Sequence, residues 1–133
     1  MRLWVAALRS GEYKQGTGTL ERTVDGETRH CCLGVACRVA MNNGLKFNII
    51  ERRPSVINSS TSDTFFDGEV GVLPEPVRKW LGLDSSNPII AEVNSNYIVS
   101  ATFANDTVGW DFNKIADEME NYFKLNELDE NND

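Results

Sequence analysis

The sequence predicts an α+β fold, with about four helices packed on a small, mainly antiparallel sheet and a buried central helix near residues 31–42. Three observations carry this. Cys31 to Met41 is apolar almost all round, with Arg38 its only charge. A helix of that kind belongs inside a fold rather than on its surface. Two Asp-Gly pairs, Asp25-Gly26 and Asp67-Gly68, lie between extended-looking segments, a short-range hairpin signal. At the two ends, Leu3, Trp4, Ala7 and Leu8, then Phe112, Ile115, Ala116, Met119 and Phe123, recur at helical spacing. These first and last helices are expected to cover the central one.

In chain order, residues 2–10 read as an amphipathic helix stopped by Gly11. A glycine-bearing loop, Tyr13 to Leu20, leads into a hairpin of Thr19–Val24 and Glu27–His30. The central helix follows and ends at Asn42-Asn43-Gly44. Alternation in Leu45–Ile50 suggests a strand. Glu51 to Thr64 is polar, contains Pro54 and reads as the most loop-like and mobile stretch. Asp67-Gly68 is expected to join Thr64–Phe66 to Glu69–Val72 as a second hairpin. Pro74 to Leu83 carries helix punctuation, with proline in the first turn and Gly82 at the end. Ile89–Val93 and Tyr97–Phe103 read as strands. The last helix has Asp111 as its N-cap.

The length of 133 residues suits one domain, drawn over residues 1–124, with 125–133 an acidic tail expected to fray. No apolar stretch approaches the roughly 20 residues that span a bilayer, and the start of the chain lacks the pattern of a signal peptide. No membrane role and a cytoplasmic location are expected. The three cysteines fall within seven residues, unlike a disulfide framework, and suit reduced thiols. The net charge of −7 is unevenly placed. Residues 1–66 hold nine Lys/Arg and six Asp/Glu, whereas residues 67–133 hold four and fourteen. That balance speaks against general nucleic-acid binding, which uses a basic surface. A positively charged partner suits the second half better.

Three features invite chemistry, each beside a plainer account. His30, Cys31, Cys32 and Cys37 have the ligand count of a zinc site, but eight consecutive residues lack the paired spacing such sites use. Cys31 or Cys32 at a helix start would have a lowered thiol pKa, yet His30 is the only histidine and a sequence neighbour is badly placed as its base. Small buried apolar cysteines are the plainer account, so no catalytic residue, metal ligand or cofactor is assigned. The loop Ser10 to Gly18 offers backbone N–H groups to an anion, with Arg9 and Lys14 nearby. It is neither a Walker motif nor a dinucleotide fingerprint. Its plainer account is a helix-to-strand turn with glycines at positive φ and Tyr13 and Gln15 packed locally. Asn105-Asp106 suggests oxygen ligands for a cation or an ordinary Asx turn. The binding residues proposed from the sequence are therefore Arg9, Tyr13, Gln15, Asn105 and Asp106. Asp117, Glu118 and Glu120 read as a solvated helix face.

Four strings, taken together, resemble a family of small uncharacterised bacteriophage proteins. They are Trp4-x-x-Ala7-Leu8-Arg9-Ser10-Gly11-x-Tyr13-x-Gln15-Gly16-x-Gly18-x-Leu20; His30-Cys31-Cys32-Leu33-Gly34-Val35 with Cys37; Leu73-Pro74-x-x-Val77-x-x-Trp80-Leu81-Gly82-Leu83; and Asn105-Asp106 followed by Phe112-x-x-Ile115-Ala116-Asp117. The resemblance runs from Trp4 to about Glu120. It implies a phage origin and the cytoplasm of an infected bacterium, and brings no established activity. Two functions are expected from the whole. One is an accessory protein that binds a host protein or other partner. The other is a small enzyme or nucleotide- or anion-binding protein using the 9–18 loop and Asn105-Asp106.

Overall fold

In the computed structural model, which describes residues 1–53, 60–94 and 96–125, the apolar central segment forms helix α2 (Cys32–Asn42), buried along most of its length. Helix α1 (Arg2–Arg9) packs on it through Trp4, Val5 and Leu8. The Trp4 indole is wholly buried, and its Nε1–H donates to the Cys32 carbonyl at 2.8 Å. That bond satisfies the polar end of an otherwise apolar side chain.

Strands β1 (Glu21–Val24) and β2 (Glu27–His30) form the first hairpin, pairing Glu21 with His30 and Val24 with Glu27. Asp25 and Gly26 turn it with φ of 51° and 81°, the doubly positive geometry that makes Asp-Gly a hairpin signal. Strands β3 (Ile49–Arg52) and β4 (Thr61–Phe66) complete an antiparallel sheet in the order β2-β1-β4-β3. The far edge of β2 is closed by the glycine loop. Gly16 N–H donates to the His30 carbonyl at 2.7 Å, and His30 N–H to the Lys14 carbonyl at 2.8 Å.

Helix α3 (Glu75–Leu81) starts from Pro74 and closes at Gly82, φ 74°. Strands β5 (Ile89–Asn94) and β6 (Tyr97–Ser100) form a separate two-stranded sheet. A π-helical turn (Phe103–Val108) follows, then helix α4 (Phe112–Tyr122), with Asp111 Oδ1 accepting from Lys114 N–H at 2.8 Å. Among the described residues the fold is thus α+β, with four α-helices, a π-helical turn and two antiparallel sheets. None of its helices is long and apolar enough to cross a membrane.

Several expectations shift. The strand expected over Leu45–Ile50 begins only at Ile49, because Leu45 and Phe47 pack against the core as irregular chain. Thr61–Thr64, expected as loop, is the start of β4, which runs between β1 and β3. Its buried hydroxyls find carboxylates: Thr64 Oγ1 donates to Glu21 at 2.6 Å and Ser62 Oγ to Glu51 at 2.8 Å. The hairpin expected at Asp67-Gly68 is a single bridge between Phe66 and Glu69. The strand expected to reach Phe103 stops at Ser100, where the π-helical turn takes over. Helix α4 lies chiefly against α1 and β5 rather than covering α2. The centre of the polar loop (54–59) and the tail (126–133) lie outside the described residues.

Candidate functional site

Two buried polar clusters lie on either side of the start of α2. The first centres on Asn105, which the π-helical turn places 1% exposed. Its Oδ1 accepts from Gln15 Nε2 at 2.9 Å and from the Cys32 backbone N–H at 3.1 Å. Its Nδ2 donates to the Gly16 carbonyl at 2.8 Å and to Asp106 Oδ1 at 2.7 Å. Gln15 Nε2 also donates to the Trp110 carbonyl at 2.8 Å. Gln15, Asn105 and Asp106 thus come together around backbone groups. Asn105 satisfies one of the unpaired N–H groups at the start of α2 and ties the glycine loop to the π-helical turn.

Arg9 and Tyr13 stand apart from that cluster. Arg9 pairs with Asp117 at 2.6 Å and Glu120 at 2.8 Å, clamping α1 to α4. These two acids and Glu118, which pairs with Lys114, are engaged rather than merely solvated. The Tyr13 ring meets the His30 ring edge-on, 5.2 Å between centroids. The glycine loop does line a cavity of about 550 Å³, but the guanidiniums there belong to Arg22 and Arg29. Arg22 is held by Asp63 at 2.7 and 3.1 Å, and Arg29 pairs with Glu27 and donates to the Gln15 carbonyl. Gly18 has the expected positive φ, whereas Gly16 is there for closeness: a Cβ on it would stand 2.8 Å from Arg29 Cβ.

Cys31, Cys32 and Cys37 are free and buried. Burial pushes the Cys31 thiol up to about 11 and raises Cys32 and Cys37 as well. A nucleophilic cysteine needs the opposite shift, so these three serve as small apolar core residues.

The second cluster went unpredicted. Glu21, 5% exposed, sits on the sheet face turned to α2. Its carboxylate accepts from His30 Nε2 at 2.8 Å, from Arg38 Nε and Nη2 at 2.7 Å each, and from Thr64 Oγ1 at 2.6 Å. Burial alone would raise its pKa; the hydrogen bonds from His30, Arg38 and Thr64 outweigh that and hold the carboxyl well below the usual carboxylate range. The Arg38 guanidinium also lies over the Phe66 ring. Since an ionised carboxylate only accepts, His30 donates through Nε2. Its Nδ1 is the single buried side-chain nitrogen or oxygen without a hydrogen-bond partner among the described residues. The sequence held one signal for this cluster: a lone arginine on a buried helix needs an acidic partner. It did not say which acid.

On the surface, the β5–β6 hairpin exposes Val93 (54%), Ile98 (58%) and Tyr97. Beside it, Glu92 and Asn94 of β5 and Glu118, Asn121 and Tyr122 of α4, with Lys124, line a groove of about 450 Å³.

Residues 1–123 match the family described as Domain of unknown function (DUF8296). The chain belongs to the DUF8296 family. No curated protein and no solved structure matches it. The DUF8296 match takes in every helix and strand of the fold, both buried clusters and the β5–β6 hairpin.

Proposed function

We propose that this DUF8296 protein works by binding a partner, a host protein carrying a basic and apolar segment, through the β5–β6 hairpin and the adjoining face of α4. The observation that carries the reading is the exposed trio Val93, Tyr97 and Ile98 beside a groove holding Glu92 and Glu118. Exposed apolar side chains with polar groups beside them are characteristic of interaction surfaces. Charge supports the choice of partner, because the β5–β6 hairpin and α4 set Glu92, Asp117, Glu118 and Glu120 against Lys114 alone. Complementary charge speeds encounter and selects the partner. The resemblance to small bacteriophage proteins supplies the setting, an infected bacterium. The alternative, a nucleotide or anion site at the 9–18 loop and Asn105-Asp106, draws less support, since the Gln15 and Asn105 amides are engaged internally and Arg9 holds α4.

Affinity purification of the tagged chain from infected cells, beside the double variant Val93→Ser/Ile98→Ser, tests this. One partner should be recovered with the parent chain and lost with a variant of unchanged melting temperature. Equal recovery by both chains, or no partner with either, counts against the reading.

A further inference from the structure

The four-stranded sheet ends differently at its two edges. At β2 the glycine loop covers the strand through the bridge between Gln15 and His30. At β3 no described residue pairs with the outer side. The direction of the β3 backbone follows from its register. Asp67 N–H donates to the Asn48 carbonyl at 2.6 Å, which continues the pairing of Ile49 with Phe66 and Ile50 with Phe65 by one residue. Hydrogen-bonded and non-hydrogen-bonded pairs alternate along an antiparallel ladder. Ile50 and Arg52 therefore bond to β4, while Ile49 and Glu51 turn their N–H and C=O groups outward.

An edge of this kind is a template for a further strand, and proteins blunt it with proline, a bulge or a covering loop. Ile49–Arg52 contains no proline and pairs with β4 in unbroken register, whereas the β5–β6 pair carries register shifts. Ile49 and Ile50 are 38% and 48% exposed.

The side chains select the occupant. In a closed dimer both copies offer the same patch across a twofold axis, and outward backbone groups must meet outward backbone groups. With Ile50 on the axis, Ile49 of each copy pairs with Glu51 of the other, and each of these pairs exchanges both N–H···O bonds. Ile50 meets Ile50, and Arg52 stands opposite Asn48. Phe65 is already the cross-strand neighbour of Ile50, so an apolar row of Phe65, Ile50, Ile50 and Phe65 crosses the seam, the kind of pairing that stabilises sheets. Sliding one copy by two residues loses this. In one direction Glu51 meets Glu51; in the other Ile50 faces Asn48 and Arg52 moves onto Lys46. Like charges opposite one another destabilise a sheet.

We infer that the outer edge of β3 pairs with a second copy of this chain, antiparallel and with Ile50 on the twofold axis, to form one continuous sheet. The surface is distinct from the β5–β6 hairpin and α4.

Sedimentation of the full chain over a concentration series tests the dimer, and cross-linking tests its register. The parent chain should show a reversible monomer–dimer equilibrium. Ile50→Lys places two ammonium groups on the axis and removes the apolar contact, so association should weaken roughly tenfold or more. Ile50 is half-exposed, and an unchanged melting temperature shows that the variant folds. Ile50→Cys puts two thiols on a non-hydrogen-bonded pair, with Cα atoms about 4.5 Å apart, within disulfide reach. Mild oxidation should yield a covalent dimer. Ile49→Cys should not, because its two copies are offset by about 7 Å along the strand and lie beyond that reach. The native cysteines are buried, and the parent chain controls for them. A monomer at about 1 mM, a dimer that Ile50→Lys leaves intact, or cross-linking through Ile49→Cys in preference to Ile50→Cys overturns the proposal.

Discussion

A single amide, Asn105, joins three pieces of chain that are far apart in sequence. Replacing it with alanine would leave the Gly16 carbonyl and the Cys32 N–H without partners. Each buried orphan costs about 1–3 kcal/mol, so Asn105→Ala should lose roughly 3 kcal/mol in denaturant unfolding. Glu21 gives a prediction in pH. In the unfolded chain its carboxyl titrates at about 4.3; folded, it stays ionised to lower pH. The stability it contributes is complete above the unfolded value and is lost as pH falls through it toward the folded one. Unfolding measured from neutral pH to below about 4 should therefore show a loss in the parent chain. Glu21→Gln should start less stable and lose less; equal losses would assign the effect to other groups. The sequence announced the Asn105-Asp106 pair but not its task. Whether an amide faces solvent or backbone depends on contacts ninety positions away.

Helices α1 and α4 were legible because their burial is periodic and α2 because it is apolar almost all round, and one residue shows how tightly α2 is seated. A Cβ on Gly34 would lie 1.7 Å from the Leu20 carbonyl oxygen. Neither atom can move without shifting backbone, so Gly34→Ala should cost about 3 kcal/mol in the same unfolding assay; a neutral result would mean α2 is not packed against Leu20. Thus the Cys-Cys-Leu-Gly-Val string marks a helix start pressed on its neighbour, with Trp4 holding the Cys32 carbonyl from the other side. The strands were less legible. Thr61–Thr64 is polar, and its place inside the sheet depends on Glu21 and Glu51, which sequence alternation alone cannot pair with Thr64 and Ser62. The π-helical turn was hidden for a similar reason. Its widened spacing is closed by Gly109 and Trp110 both donating to the Ala104 carbonyl, a local geometry without a periodic signature.

At the scale of the molecule, the acidic excess read from the sequence is set apart from the four-stranded sheet. In the sheet strands Arg22, Arg29 and Arg52 stand among Glu21, Glu27, Glu51 and Asp63, with Asp63 between Arg22 and Arg52 in the cross-strand row, so the charges there nearly cancel. The β5–β6 hairpin and α4 carry acidic residues beside exposed apolar ones. This separation was legible as numbers, though the surface it forms required the fold, since β5 and α4 meet only in three dimensions. The central claim is that the partner docks on that surface. Hydrogen–deuterium exchange of the purified complex, compared with the free chain, tests it most directly. The account predicts slowed exchange over β5, β6 and α4, with β1 to β4 unchanged. Protection confined to β1 to β4, with β5, β6 and α4 exchanging as in the free chain, would contradict it.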